Sequence, residues 1–184
     1  CFDWVVPKEW NCKEAYIIDP DGNKICDSRE NNLHLVGYSV PMDKTMSFED
    51  LDRNLYSLPN LPEAIPYVTS YYEEGWGFCL SEQQRRSLKK GDYKVHIDSR
   101  LEDGGLTYGE LLIEGEGAEE IFLSTYVCHP SMANNELSGP AVTVQLAKYI
   151  DSLPIRRYSY RIIFIPETIG SITYLSKHHE QMKQ

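Results

Sequence analysis

His129 directly follows an apolar run, EEIFLSTYVC at 119–128, and Glu167 directly follows a second, YSYRIIFIP at 158–166. The segment PSMANNELSG at 130–139 adds Asn134, Asn135, Glu136 and Ser138 between them. An imidazole beside carboxylate and amide oxygens is a donor set that suits zinc or another borderline divalent ion. A glutamate next to such an ion can take a proton from water, as metallohydrolases require at neutral pH. The same two residue types also serve as a hydrogen-bonded histidine and a helix-capping glutamate, and residue type alone leaves both readings open.

The elements that must position these groups follow from periodicity. The runs at 119–128 and 158–166 have the length and β-branched or aromatic content of buried strands. Between them, a helical spacing begins at Ser138 and stops by Pro154, with Val142, Leu146, Tyr149 or Ile150, and Leu153 as its expected buried stripe. Strand, helix, strand in this order makes a β-α-β unit with parallel strands. His129 and Glu167 then leave the carboxyl ends of neighbouring strands at one edge of the sheet, where open α/β sheets build their sites. Further strands are expected at 92–98 and 106–115, and a last helix after Glu167.

The first half has a different texture. Asp21-Gly22 between two apolar runs reads as a hairpin turn, and NNLHLVGYSV at 31–40 as a strand. Ser47 reads as the N-cap of a helix over 47–58 that carries Phe48, Leu51, Leu55 and Leu58 on one face. Residues 75–81 read as a strand, and SEQQRRSLKKGD as a short helix stopped by Gly91. Trp4, Trp10, Trp76 and the Tyr71-Tyr72 pair suit a small core, with stacking on a sugar or peptide as the alternative.

Other candidates for chemistry are weaker. Cys128 and His129 are adjacent on a strand and face opposite sides, which disfavours a thiol dyad. Ser138 lacks the G-x-S-x-G elbow, so helix capping is its expected task. His178 and His179 suit a helix C-terminus, and His34 and His96 structural hydrogen bonds.

Composition narrows the partners. Eighteen Lys and Arg against 28 Asp and Glu, a net charge of -10, argue against nucleic acid. Apolar runs are too short for a transmembrane helix, so no membrane partner is expected. Five scattered cysteines without a C-x-x-C pair fit reduced thiols and a cytoplasmic location. The opening CFDW, without Met, suggests a cut within a longer protein.

STYVCHPSMANNELSGPAV together with YRIIFIPETIGSITYL resembles the first two metal-site motifs of the co-catalytic zinc aminopeptidase superfamily, which includes glutamate carboxypeptidases and glutaminyl cyclases. The chain resembles more closely a bacterial group of aminopeptidase-like proteins, some associated with polysaccharide biosynthesis, that carry an inserted domain of unknown function. FDWVVPKEW is similar to the segment preceding that insertion.

The resemblance implies His129 as a zinc ligand, Asn135 in the place of a bridging Asp, and Glu167 as the general base. Thr168 stands where a second Glu would be, and Glu136 is available in place of the missing charge. Zinc is the implied cofactor, with one or two ions, or none, left open. The superfamily's remaining ligands come from later strands, so this chain is expected to hold the first half of the site.

The expected fold is α/β: part of a zinc-exopeptidase-like mixed sheet with helices, formed by residues 1–9 and 91–184. A small β-rich accessory domain at 10–90 is expected to narrow access to the site. The expected function is zinc-dependent hydrolysis of an N-terminal residue from a peptide, or of a related amide. A glycan- or peptide-binding module on a degenerate peptidase scaffold is the alternative. An open sheet edge leaves a homo-oligomer among the expected partners.

Overall fold

The computed structural model describes residues 1–71, 73–129 and 132–183. Two compact units emerge, one formed by Pro7–Gly104 and the other by Cys1–Val6 with Gly105–Gln184.

In the first unit, strict alternation drives the sheet. Strand β1 (Glu9–Ile18) turns through 19–23, where Gly22 takes φ +85°, into β2 (Lys24–Ile25), giving the expected hairpin. Strand β3 (Met42–Ser47) leads into helix α1 (Phe48–Asp52), short strands β4 (Leu55–Tyr56) and β5 (Phe78–Cys79) pair in parallel, and helix α2 (Glu82–Arg86) precedes β6 (Asp92–Glu102). The main sheet has the order β2-β1-β6-β3, with β6 antiparallel to both neighbours. Tyr93, Val95 and Ile97 of β6 point inward against Ala15, Ile17, Leu51, Leu55, Phe78 and Leu80.

Three expectations are corrected in this unit. The segment from 92, read from sequence as part of the second body, lies between β1 and β3 and so belongs to the first. Residues 31–40 do not form a strand: the Asn31 side chain accepts from Leu33 N and caps a 3-10 turn at Asn32–His34, leaving only single bridges at Leu35 and Gly37. The helix expected over 47–58 is capped by Ser47 as foreseen but ends at Asp52, because Asn54 N closes a turn onto Leu51 O and Leu55 joins the core as a strand. Met42–Ser47 supplies a strand that sequence reading missed. The short helix after Ser81 forms as expected. Trp10 stacks on Tyr38 and donates to Ser39 O, while Tyr72 lies outside the described residues. Cys26 and Cys79 sit in the core, and burial pushes their thiols up to about 12 and about 11.

The second unit contains strands β7 (Gly109–Ile113), β8 (Glu120–Tyr126) and β9 (Ser159–Ile165) with helices α3 (Ser138–Ser152) and α4 (Ile169–Met182). Sheet order is β7-β9-β8. β9 runs parallel to β8 and antiparallel to β7, so the β-α-β unit is present with its mixed-sheet neighbour. Ile162 packs with Ala147 and Ile150 of α3, whereas Ile163 and Ile165 pack with Tyr174 of α4, so the helices cover opposite faces. The expected stripe on α3 is corrected: Val142 and Tyr149 are 67% and 63% exposed, and only Ala147 and Ile150 are buried. Among the described residues, no helix is long and apolar enough to cross a membrane.

One ion network ties all three strands. Arg161, on central β9, holds Glu120 through two bonds of 2.7 and 2.8 Å and also bonds Glu110, which accepts from the Tyr174 hydroxyl at 3.1 Å. The guanidinium's hydrogen bonds hold the Glu120 carboxyl below its ordinary value of 4.5. A depressed folded value means that stability is present above 4.5 and is lost as pH falls through the folded value. Because both carboxylates are exposed to solvent, which screens the pairs, Arg161→Met is expected to lower stability at pH 7 by about 1 kcal/mol. The difference from wild type should shrink in strong acid, read from urea midpoints at the two pH values.

Candidate functional site

The parallel pairing of β8 and β9 sets the site. Tyr126 lies opposite Ile165, and Val127 N donates to Ile165 O at 3.0 Å, extending the pairing one residue past the strand. Cys128 and His129 therefore emerge beside Pro166 and Glu167. Two close approaches keep the helices against these strand ends. A Cβ on Gly139 would lie 2.4 Å from Thr125 Oγ1, and one on Gly170 would lie 2.4 Å from Ile165 Cγ1. The Ser-Gly and Ile-Gly pairs of the two motifs thus let α3 and α4 begin directly on the strands.

Glu136 and Glu167 occupy equivalent places, each one residue before the N-cap of its helix, Leu137 for α3 and Thr168 for α4. Neither N-cap makes a side-chain capping bond. Ser138 is the first helical residue and not the cap expected of it. The backbone is strained at both carboxylate loops: Glu136 has φ +73°, and β-branched Thr168 has φ +52°.

His129, Glu136 and Glu167 each direct one potential ligand atom to a common point, all within 4.8 Å of one another. His129 Nε2 lies 2.8 Å from Glu167 Oε2. Glu136 is 7% exposed; one of its oxygens accepts from the Cys128 amide, and the other, Oε1, is buried without a hydrogen-bond partner among the described residues. Burying an unpaired carboxylate oxygen is costly unless a cation completes it. One imidazole nitrogen and two carboxylates, one of them with a buried oxygen left unpaired, match the nitrogen and oxygen donors that zinc takes.

Of the residues singled out from sequence, three converge and one does something else. Asn135 is exposed, and its Oδ1 accepts from the Tyr126 hydroxyl at 2.6 Å. Pro130 and Ser131 of the first motif lie outside the described residues. Tyr126 was not singled out, although an aromatic closing the strand before His129 was the available signal. Cys128 is unsuited to nucleophilic work: desolvation, together with the Glu136 and Glu167 carboxylates, pushes its thiol up. His34 bonds Cys79 O and His96 lies between Glu14 and Asp43, structural contacts as foreseen, while His178, expected at a helix C-terminus, stacks on Tyr174.

A family model described as a domain of unknown function (DUF4910) matches residues 1–184. A Clostridium acetobutylicum protein, named provisionally as a polysaccharide biosynthesis protein with an aminopeptidase-like domain, is 53% identical over 182 residues, covering 99% of this chain and 42% of that protein. The crystal structure of a protein from that organism, described provisionally as a peptidase, matches with a TM-score of 0.94 at 53% identity, over 99% of this chain and 43% of the other. The crystal structure of a Peptidase M28 precursor from Shewanella amazonensis SB2B matches with a TM-score of 0.60 at 10% identity, over 96% of this chain and 57% of the other. At that identity the likeness is one of fold, and it makes the mixed α/β architecture peptidase-like. The chain spans less than half the length of its Clostridium relatives.

Proposed function

We propose, from the premise that the chain belongs to the DUF4910 family whose model it matches from end to end, that it carries part of the active site of a zinc-dependent hydrolase of the aminopeptidase type. The substrate would be a peptide losing its N-terminal residue, or a related amide. The observation that carries this reading is the convergence of His129, Glu136 and Glu167, together with a buried Glu136 oxygen that has no partner among the described residues. The aminopeptidase-like name of the Clostridium relative and the fold shared with a Peptidase M28 chain support the same reaction class.

In this reading His129 and Glu136 hold the metal, and Asn135 contributes through the loop and not as a bridging ligand. When bound, zinc supplies polarisation of the substrate carbonyl and acidification of water. Glu167 is the proton carrier: its side chain is 43% exposed, against 14% for His129, so it can accept a proton from water and pass it to the leaving amine. Thr168, at the position after this base, offers no second carboxylate, which favours one ion over two. The Pro7–Gly104 unit, lying in sequence between the two segments of the other, is the insertion of this reading.

The first test is metal analysis of the full-length protein. Wild type is expected to carry about one zinc per chain, and His129→Ala to lose nearly all of it. Unchanged metal content in His129→Ala overturns the assignment.

A further inference from the structure

We infer that Tyr126 and Asn135 form a latch that turns the carboxylate of Glu136 inward, an inference that rests on the metal reading above. The loop before α3 shows an inverted burial pattern. Glu136 is 7% exposed while its neighbour Leu137 is 60% exposed. Left to transfer energetics alone, the loop would bury the leucine and hydrate the carboxylate. Glu136 also takes a left-handed φ of +73°, which a residue with a Cβ adopts only when its surroundings impose it.

Two contacts impose it. Ser138 N donates to Asn134 O at 3.1 Å and closes the base of the turn. One residue before Glu136, Asn135 Oδ1 is pinned by the Tyr126 hydroxyl at 2.6 Å. Tyr126 is a firm anchor, because its backbone belongs to β8 in register with Ile165 of β9. With residues 134 and 135 fixed, the chain can reach Leu137 at the start of α3 only through the strained turn at 136. That turn delivers one Glu136 oxygen to the Cys128 amide and holds the carboxylate beside His129 and Glu167. Asn135 is thus a positioning residue: the amide side chain sets where the next residue's carboxylate goes. The latch also explains why a neutral side chain serves at 135, since its work is to accept one hydrogen bond.

The test uses the full-length protein with Zn²⁺ alone as probe, in competition with a chromophoric chelator, alongside amide hydrogen exchange in the metal-free state. Tyr126→Phe is expected to weaken Zn²⁺ binding about tenfold, in the range of other orienting partners of metal ligands, and to speed exchange at the Cys128 amide. Asn135→Ala should do the same, and the double variant should lose no more than either single one, because both remove one bond. Asn135→Asp, which keeps the acceptor, should restore slow exchange. If Tyr126→Phe changes neither affinity nor exchange in a protein that binds zinc, the latch is overturned and the metal reading stands. If wild type binds no zinc while Tyr126→Phe still speeds Cys128 exchange, the latch stands and the metal reading falls.

Discussion

Glu136→Gln is expected to stabilise the metal-free protein by about 1–2 kcal/mol and at the same time to weaken Zn²⁺ binding by more than the ~100-fold reached by outer contacts. The two effects share one cause. In the metal-free state Glu136 places a carboxylate in a nearly closed environment with Oε1 unpaired and the Glu167 carboxylate close by. Glutamine keeps a carbonyl for the Cys128 amide and replaces the unpaired oxygen by an uncharged NH₂, which removes the buried charge. The charge that destabilises the empty loop is the charge that a cation needs, so stability and binding trade against each other. Urea midpoints in excess chelator and a zinc competition titration read the two halves separately. A loss of chelated-state stability in Glu136→Gln would mean that the carboxylate is satisfied in the fold and is no ligand in waiting.

The β-α-β unit was legible because two features coincide in the sequence, apolar runs long enough for strands and a helix that Pro154 must end, although β8, expected to be buried, exposes most of its residues. Once the strands are parallel, His129 and Glu167 have to meet at one edge, and their 2.8 Å contact needs nothing finer than topology. Choosing between Asn135 and Glu136 needed more. Adjacent loop residues exchange inside for outside through a single φ angle, and the angle at 136 depends on a hydrogen bond from Tyr126, nine residues before its partner. Pattern reading has no access to such a bond. The exposure of Val142 and Tyr149 was hidden for another reason: helical period shows which side chains share a face, while tertiary packing decides which of them are covered. In the Pro7–Gly104 unit, the helix read at 47–58 failed where core contacts of Leu55 overrode its spacing.

Glu167→Gln is expected to lower kcat for an aminoacyl-arylamide by ~10²–10⁴-fold, the range of a lost general base, with zinc content kept and KM little changed. The basis is the difference in exposure within the trio: His129 and Glu136 are largely enclosed, whereas Glu167 is the more open to solvent. Its backbone supports the same division of labour. Glu167 lies on the last peptide before the strained Thr168, so its side chain is held over the strand ends without being clamped by a backbone donor as Glu136 is. Glutamine at 167 keeps the shape and hydrogen-bonding reach to His129 but cannot take up a proton at working pH. The measurement pairs steady-state kinetics of the full-length protein with metal analysis of the same samples. Loss of activity together with zinc would make Glu167 a ligand, and full activity in the variant would remove it from the chemistry. Loss of turnover with metal retained is the outcome that a proton carrier at this position requires, because the chemical step then fails while the donors beneath it remain in place.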